Sequence, residues 1–155
     1  MSLAGCANLL GTDEAETGST AIELSDLPAE AQSFVTLVND HRENQGLEPL
    51  AWHAAIGGVA QAHSQDMRDR DYFAHDNPDG ESPFDRMRAA GISYQGAGEN
   101  IARGYTTGQS VLNGWLGSTG HRENIENSAY THHGLRYVED GNYWTHVFAT
   151  NPSVD

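Results

Sequence analysis

Two segments at the end of the chain have the pattern of an antiparallel pair of β-strands. They run over residues 130–139 and 142–150 and flank Asp140-Gly141, a dipeptide typical of a β-hairpin turn. The earlier part of the chain instead has apolar residues at helical spacing, mainly over 29–45, 53–70 and 107–116. Helices that precede a hairpin predict an α+β fold with antiparallel pairing, because parallel strands would have to alternate with helices.

The first 26 residues predict a lipid-anchored tether. Cys6, the one cysteine, ends the run Leu3-Ala4-Gly5-Cys6, which resembles the lipobox where bacterial lipoproteins are cut and acylated. Residues 7–25 are polar, acidic and free of aromatic side chains, so they bury too little apolar surface to offset their ordering entropy. We expect a flexible acidic tether over 1–26 and one domain over 27–155. The protein is then extracytoplasmic, as a lipoprotein held at the membrane by Cys6 or as a secreted protein.

The charge of the chain excludes one class of partner. Asp and Glu number 22 against 8 basic residues, which gives a formal net charge of −14. Such a charge repels a phosphate backbone, so we expect no nucleic-acid partner. All eight basic residues are arginines, so chemistry that needs a lysine Schiff base is excluded as well.

Histidine and glutamate supply the candidate site residues. Of the eight histidines, those within helical patterns are expected to be structural, and His132-His133, at the start of a strand, is expected to be exposed. His75 follows a helix, Glu99 lies in a strand, and His121 lies at a helix break. They belong to no local motif such as HExxH or GxSxG, so the residues alone leave enzymatic activity undecided.

Four motifs in a fixed order resemble the CAP superfamily of cysteine-rich secretory, antigen 5 and pathogenesis-related proteins, in particular its bacterial single-domain SCP-like branch. They are Tyr72-Phe73-Ala74-His75, Gly98-Glu99-Asn100-Ile101, the run 115–125 and the run 143–148. The resemblance covers about residues 27–151. It implies a three-layer α-β-α sandwich with a central, mainly antiparallel sheet.

The resemblance also implies a cleft. His75 and Glu99 match the family's first His and first Glu. Ser118 stands where eukaryotic members have a second Glu, and Tyr143 stands where they have a second His. In the bacterial branch His121 takes over, so the predicted ligand-binding set is His75, Glu99 and His121, joined by Tyr143.

Three functions remain open for this cleft. Its imidazoles and carboxylate suit Zn²⁺ or another divalent cation, which makes His75, Glu99 and His121 candidate metal ligands and candidate catalytic residues. The first function is a binding module for a small ligand, lipid, glycan or peptide at the cell surface. A second is a metal-dependent, protease-like hydrolase with a metal-activated water. The third is a structural surface domain, because such residues also form hydrogen-bond networks without a metal.

Overall fold

Helices and strands alternate in blocks along the part of the chain that the computed structural model describes, residues 20–155. The helices are α1 Ala29–Asn44, α2 Ala54–Arg70, α3 Pro83–Ala89, α4 Gly108–Leu116 and α5 Thr119–Ile125. The strands are β1 Ala51–Trp52, β2 Ile92–Ser93, β3 Gly96–Arg103, β4 His132–Val138, β5 Tyr143–Thr150 and β6 Ser153–Val154. These bounds agree closely with the helical and strand patterns of the sequence.

Capping boxes fix the starts of α3 and α4. Ser82 Oγ accepts from the Asp85 N–H at 3.1 Å, and Asp85 accepts in return from the Ser82 N–H at 3.0 Å. This capping box, with Pro83 in the first turn, starts α3 where the chain leaves a polar loop. Thr107 and Ser110 form the same reciprocal cap on α4.

The main sheet has the strand order β1-β4-β5-β3, in which β1 and β4 are parallel and the other pairs are antiparallel. Successive residues of β5 point to opposite faces. Trp144 and Phe148 pack in one core with α1 and α4, whereas Val147 packs in a second core with α2. The predicted three-layer α-β-α sandwich with a mainly antiparallel sheet is therefore confirmed.

The predicted hairpin joins β4 to β5, and its turn is longer than a two-residue loop. Val138 pairs with Tyr143, so residues 139–142 form the connection. Gly141 and Asn142 both have positive φ, at 87° and 56°. Asn142 tolerates this left-handed conformation better than most residues, which lets it take part in the turn.

The packed part of the chain begins before the predicted boundary at residue 27. The Ile22 N–H donates to the Ala54 carbonyl at 2.9 Å, and the Trp52 indole donates to the Ile22 carbonyl at 2.9 Å. A short 3₁₀ helix follows at Leu24–Asp26. Residues 20–26 thus lie against the start of α2, whereas Cys6 and the rest of the predicted tether lie outside the described residues. None of the helices in 20–155 is long and apolar enough to span a bilayer.

A pair of buried histidines lies inside the core. His133 Nδ1 and His146 Nε2 are 2.9 Å apart, and neither residue is exposed. Burial lowers the pKa of both imidazoles, that of His133 to about 3, so both are neutral near pH 7. The expectation that His133 would be exposed is wrong, because helices cover both faces of the sheet.

We expect Gly134→Ala to destabilise the fold by about 1–3 kcal/mol or more. A Cβ at Gly134 would lie 2.3 Å from the Gly57 nitrogen and 2.4 Å from the Ile56 carbonyl carbon, so α2 or β4 would have to move. Gly120→Ala in α5 is the matched control, since its Cβ would have no neighbour within 4 Å. Urea unfolding of both variants provides the measurement. Equal midpoints would show that the contact between α2 and β4 tolerates a methyl group.

The His133–His146 pair predicts a loss of stability in acid. Below pH 6.5 these imidazoles take up protons in the unfolded chain but stay neutral in the fold, so stability decreases as pH falls from 6.5 towards 3. We expect His133→Leu/His146→Leu to flatten this part of the profile of unfolding free energy against pH. A slope in the double variant as steep as that of the wild type would contradict the assignment.

Candidate functional site

Glu99 is the centre of the candidate site. It lies in β3 directly across from Val147 of β5, and its side chain is only 2% exposed. One carboxylate oxygen accepts from His75 Nδ1 at 2.7 Å, and the other accepts from Arg86 Nη2 at 3.0 Å. A buried carboxylate is costly unless it is paired, and these two charge-assisted hydrogen bonds meet that cost.

His75 reaches Glu99 from the loop that follows α2. The helix ends at Asp71 in a left-handed conformation with φ 56°, which turns the chain towards the sheet. His63, buried on α2, then bonds through Nε2 to the Ala74 carbonyl at 2.9 Å and holds the residue before His75. This hydrogen bond gives His63 the structural role that its helical position predicts.

The electrostatics of His75 follow from its position. Its side chain is 49% exposed although Nδ1 is bound to Glu99. The hydrogen bond to Glu99 raises the pKa of His75 above its ordinary value of 6.5, against a smaller opposing effect of burial. The imidazolium form is therefore favoured, with one ring edge held by the carboxylate.

Arg86 is a site residue that the sequence analysis missed. It lies in α3, its side chain is 10% exposed, and its Nη1 also donates to the Glu81 carbonyl at 3.1 Å. A helical signal for it exists, because positions 83, 86, 87 and 90 share one face and Pro83 and Met87 are buried. The sequence around Arg86, by contrast, does not indicate that its partner is Glu99, which is 13 residues away.

Two asparagines bring His121 to the same region. Asn100 of β3 donates to the His121 carbonyl at 3.1 Å, and Asn124 of α5 donates to the Asn100 side chain at 2.9 Å and to the Glu99 carbonyl at 3.3 Å. These hydrogen bonds tie α5 to the strand of Glu99. Burial lowers the pKa of His121, and the charge on nearby His75 lowers it further. The site thus shifts the pKa values of its two imidazoles in opposite directions.

Tyr143 does not join the hydrogen bonds of Glu99. It faces the same side of β5 as Val147 but lies four residues away, about 13 Å along the strand. It packs with Met67, Ile101 and Val138, beneath the guanidinium of Arg103 at 5.0 Å. Of the four predicted site residues, the structure therefore brings together His75, Glu99 and His121.

The donor set of this site does not fit a divalent metal. Both oxygens of Glu99 already accept hydrogen bonds, and a cation there would sit beside the Arg86 guanidinium. Within residues 20–155, no group of three or more His, Cys, Asp or Glu side chains could hold a metal ion. Zn²⁺ binding by His75, Glu99 and His121 stays a prediction from the sequence.

Comparison with known sequences identifies the family of this chain. The chain belongs to the CAP domain family, described as the cysteine-rich secretory protein family, which it matches over residues 35–151. It is 45% identical over 133 residues to the uncharacterized protein YkwD of Bacillus subtilis. That alignment covers 86% of this chain and 52% of YkwD, so the chain spans about half the length of its relative.

Solved structures show the same fold in surface and extracellular proteins. An extracellular SCP-domain protein of Bacillus anthracis matches with a TM-score of 0.76 and 36% identity, over 79% of this chain and 41% of that one. An outer surface protein of Borrelia burgdorferi matches with a TM-score of 0.72 over 85% of this chain and 98% of its own. At 18% identity, the second comparison shows the fold alone.

We expect Glu99→Gln to lower the pKa of His75 towards 6.5, because the carboxylate that stabilises the imidazolium is gone. Ring resonances followed by NMR across a pH titration measure both histidines at once. His75→Ala should raise the pKa of His121, since it removes a neighbouring positive charge. An unchanged His75 titration in Glu99→Gln would mean that the hydrogen bond does not control its protonation.

Proposed function

We propose that this chain is an exported, cell-surface CAP-domain protein whose cleft binds a ligand through an anionic or hydrogen-bond-accepting oxygen placed against His75. Export is supported by the Bacillus anthracis relative, which is described as extracellular. A lipid anchor at Cys6 stays a prediction from the sequence.

The engagement of Glu99 is the observation that carries the proposal. Both of its oxygens are taken by His75 and Arg86, and its side chain is buried. The carboxylate is therefore enclosed by the protein, and its role is to hold the donor groups of His75 and Arg86 in place. The group that contacts a ligand is then the half-exposed ring of His75, which donates a hydrogen bond in its imidazolium form.

The local charge of the site favours the same class of ligand. Two cations around one carboxylate leave one positive charge when His75 is protonated. The acidic surface repels anions at long range, but salt screens that repulsion beyond about 8 Å at physiological ionic strength. A carboxylate, phosphate or sulfate group on a small ligand, lipid, glycan or peptide would therefore meet a locally favourable potential.

A second candidate function is hydrolysis by His75 and His121. Their pKa values are shifted in opposite directions, which supplies one protonated and one neutral imidazole at the same pH. Such pairs serve as acid and base in enzymes. This version needs no metal, and it differs from simple binding because either substitution to Ala would abolish turnover of an ester or peptide substrate.

The binding proposal predicts that inorganic phosphate shifts the ring resonances of His75 in a saturable way. Binding should weaken as pH rises through the pKa of His75, because the neutral ring loses its charge. NMR titration of the whole chain measures this, and His75→Ala should abolish the saturable response. His41→Ala is the matched control, since His41 also bonds to a carboxylate, Glu126 at 2.8 Å, away from the cleft.

Other outcomes of this titration separate the remaining functions. Thermal unfolding of the chelator-treated protein, with and without stoichiometric Zn²⁺, tests the metal prediction. A rise in melting temperature that His75→Ala lacks would favour metal binding over the oxyanion site. A loss of stability in His75→Ala, with no ligand response in the wild type, would instead assign the site a structural role and refute the proposal.

A further inference from the structure

A second concave surface lies between α2 and α3 and is lined in part by Arg86. We call it the Arg86 groove, and its volume is about 290 Å³, near the lower end for ligand sites. Apolar side chains from both helices line it together with Arg86 and loop residues. The residues on which the argument rests are Val59, Ala62, Glu81, Arg86, Ala89 and Ala90.

Most charged groups at the edge of the Arg86 groove satisfy one another. Arg70 donates to both oxygens of Asp66 at 2.8 Å and to Asp79 at 2.9 Å. Asp66 also accepts from the Tyr72 hydroxyl at 2.5 Å, which together with Arg70 leaves it engaged. Arg70 and Asp66 thus form a wall of the groove and have little to offer a ligand.

Arg86 is different because one of its donors has no partner. Nη1 and Nη2 are bound to Glu81 and Glu99, but Nε is buried and has no hydrogen-bond partner within residues 20–155. A buried donor without an acceptor is unfavourable, because nothing compensates the loss of its contact with water. Arg86 lines the groove, so a small movement of its side chain would let a ligand oxygen supply the missing acceptor.

The charged residues of the groove determine which charge the remainder of the ligand should carry. Its three carboxylates, on Asp66, Asp79 and Glu81, outnumber its two guanidiniums, so a simple anion would be repelled. One Glu81 oxygen accepts from Asn77 at 2.8 Å, and Asp79 is largely exposed at the rim. One Asp79 oxygen accepts from Arg70, so on each carboxylate the second oxygen is the one that would meet a cation on the ligand.

We infer that the Arg86 groove binds a small zwitterion of the amino-acid or dipeptide class, with an oxygen at Arg86 Nε and an ammonium group near Glu81 and Asp79. The short apolar side chains of Ala62, Ala89 and Ala90 leave room for its carbon skeleton. The inference does not depend on the function proposed for the cleft, because His75 does not line the groove.

Binding of alanyl-alanine to the whole chain tests the inference, with amide chemical shifts as the readout. We expect saturable shifts in α2, in residues 77–81 and in α3. N-acetyl-alanyl-alanine amide, which lacks both charges, should bind at least about tenfold more weakly. A separate titration with free alanine distinguishes an amino-acid site from a peptide site.

Three variants locate the site. Ala89→Leu should weaken binding about tenfold or more by filling the groove, whereas Ala29→Leu, at an exposed alanine on α1, should not. Glu81→Gln keeps the acceptor for Asn77 and removes the charge, so it should weaken the dipeptide while leaving the fold intact. The inference is overturned by an absence of saturable shifts, by equal binding of the blocked peptide, or by unchanged binding in both groove variants. Loss of binding in His75→Ala would also overturn it, by moving the ligand to the cleft.

Discussion

The buried guanidinium of Arg42 holds together the segments that bring the sheet and the site into register. It lies in α1, is only 1% exposed, and donates to the carbonyl oxygens of Glu48, Ile125, Asn127 and Tyr130 at 2.7–3.4 Å. These carbonyls belong to the loop before β1, to the last residue of α5 and to the connection between α5 and β4. Burial lowers the pKa of Arg42, and the four carbonyl dipoles compensate its charge, since no carboxylate within residues 20–155 pairs with it.

The position of the site follows from this arrangement through the sheet. Arg42 fixes the approach to β4, β4 pairs with β5, and β5 pairs with β3, which places Glu99 across from Val147. The same guanidinium holds the end of α5, whose start carries His121. The hydrogen bonds of Asn100 and Asn124 then close the connection between α5 and β3. His75 and Arg86 arrive from the other face, so Glu99 receives its partners from elements that are far apart in sequence.

Local interactions explain what could be predicted from the sequence. The capping box at Ser82-Pro83, the end of α1 near Gly46 and the hairpin around Gly141 each depend on a few neighbouring residues, and all are present. Arg86 could not be paired with Glu99 in this way, because only the packing of α3 against β3 brings them together. His133 was misjudged for a related reason: whether the second face of a strand is buried depends on a helix distant in sequence.

The resemblance to the CAP family pointed to His75, Glu99 and His121 as a candidate site, but the metal chemistry it suggested does not follow from the contacts of Glu99. Two carboxylates with two imidazoles favour a cation, whereas here Ser118 and Tyr143 stand at two of the four positions and one carboxylate faces a guanidinium. Glu99 is held between His75 and Arg86, and a metal ion bound to its carboxylate would be repelled by the adjacent Arg86 guanidinium. The same Arg86 side chain leaves its Nε unpaired at the neighbouring groove. Arg86 therefore accounts both for the poor fit of the cleft to a metal and for a buried donor without a partner beside the groove.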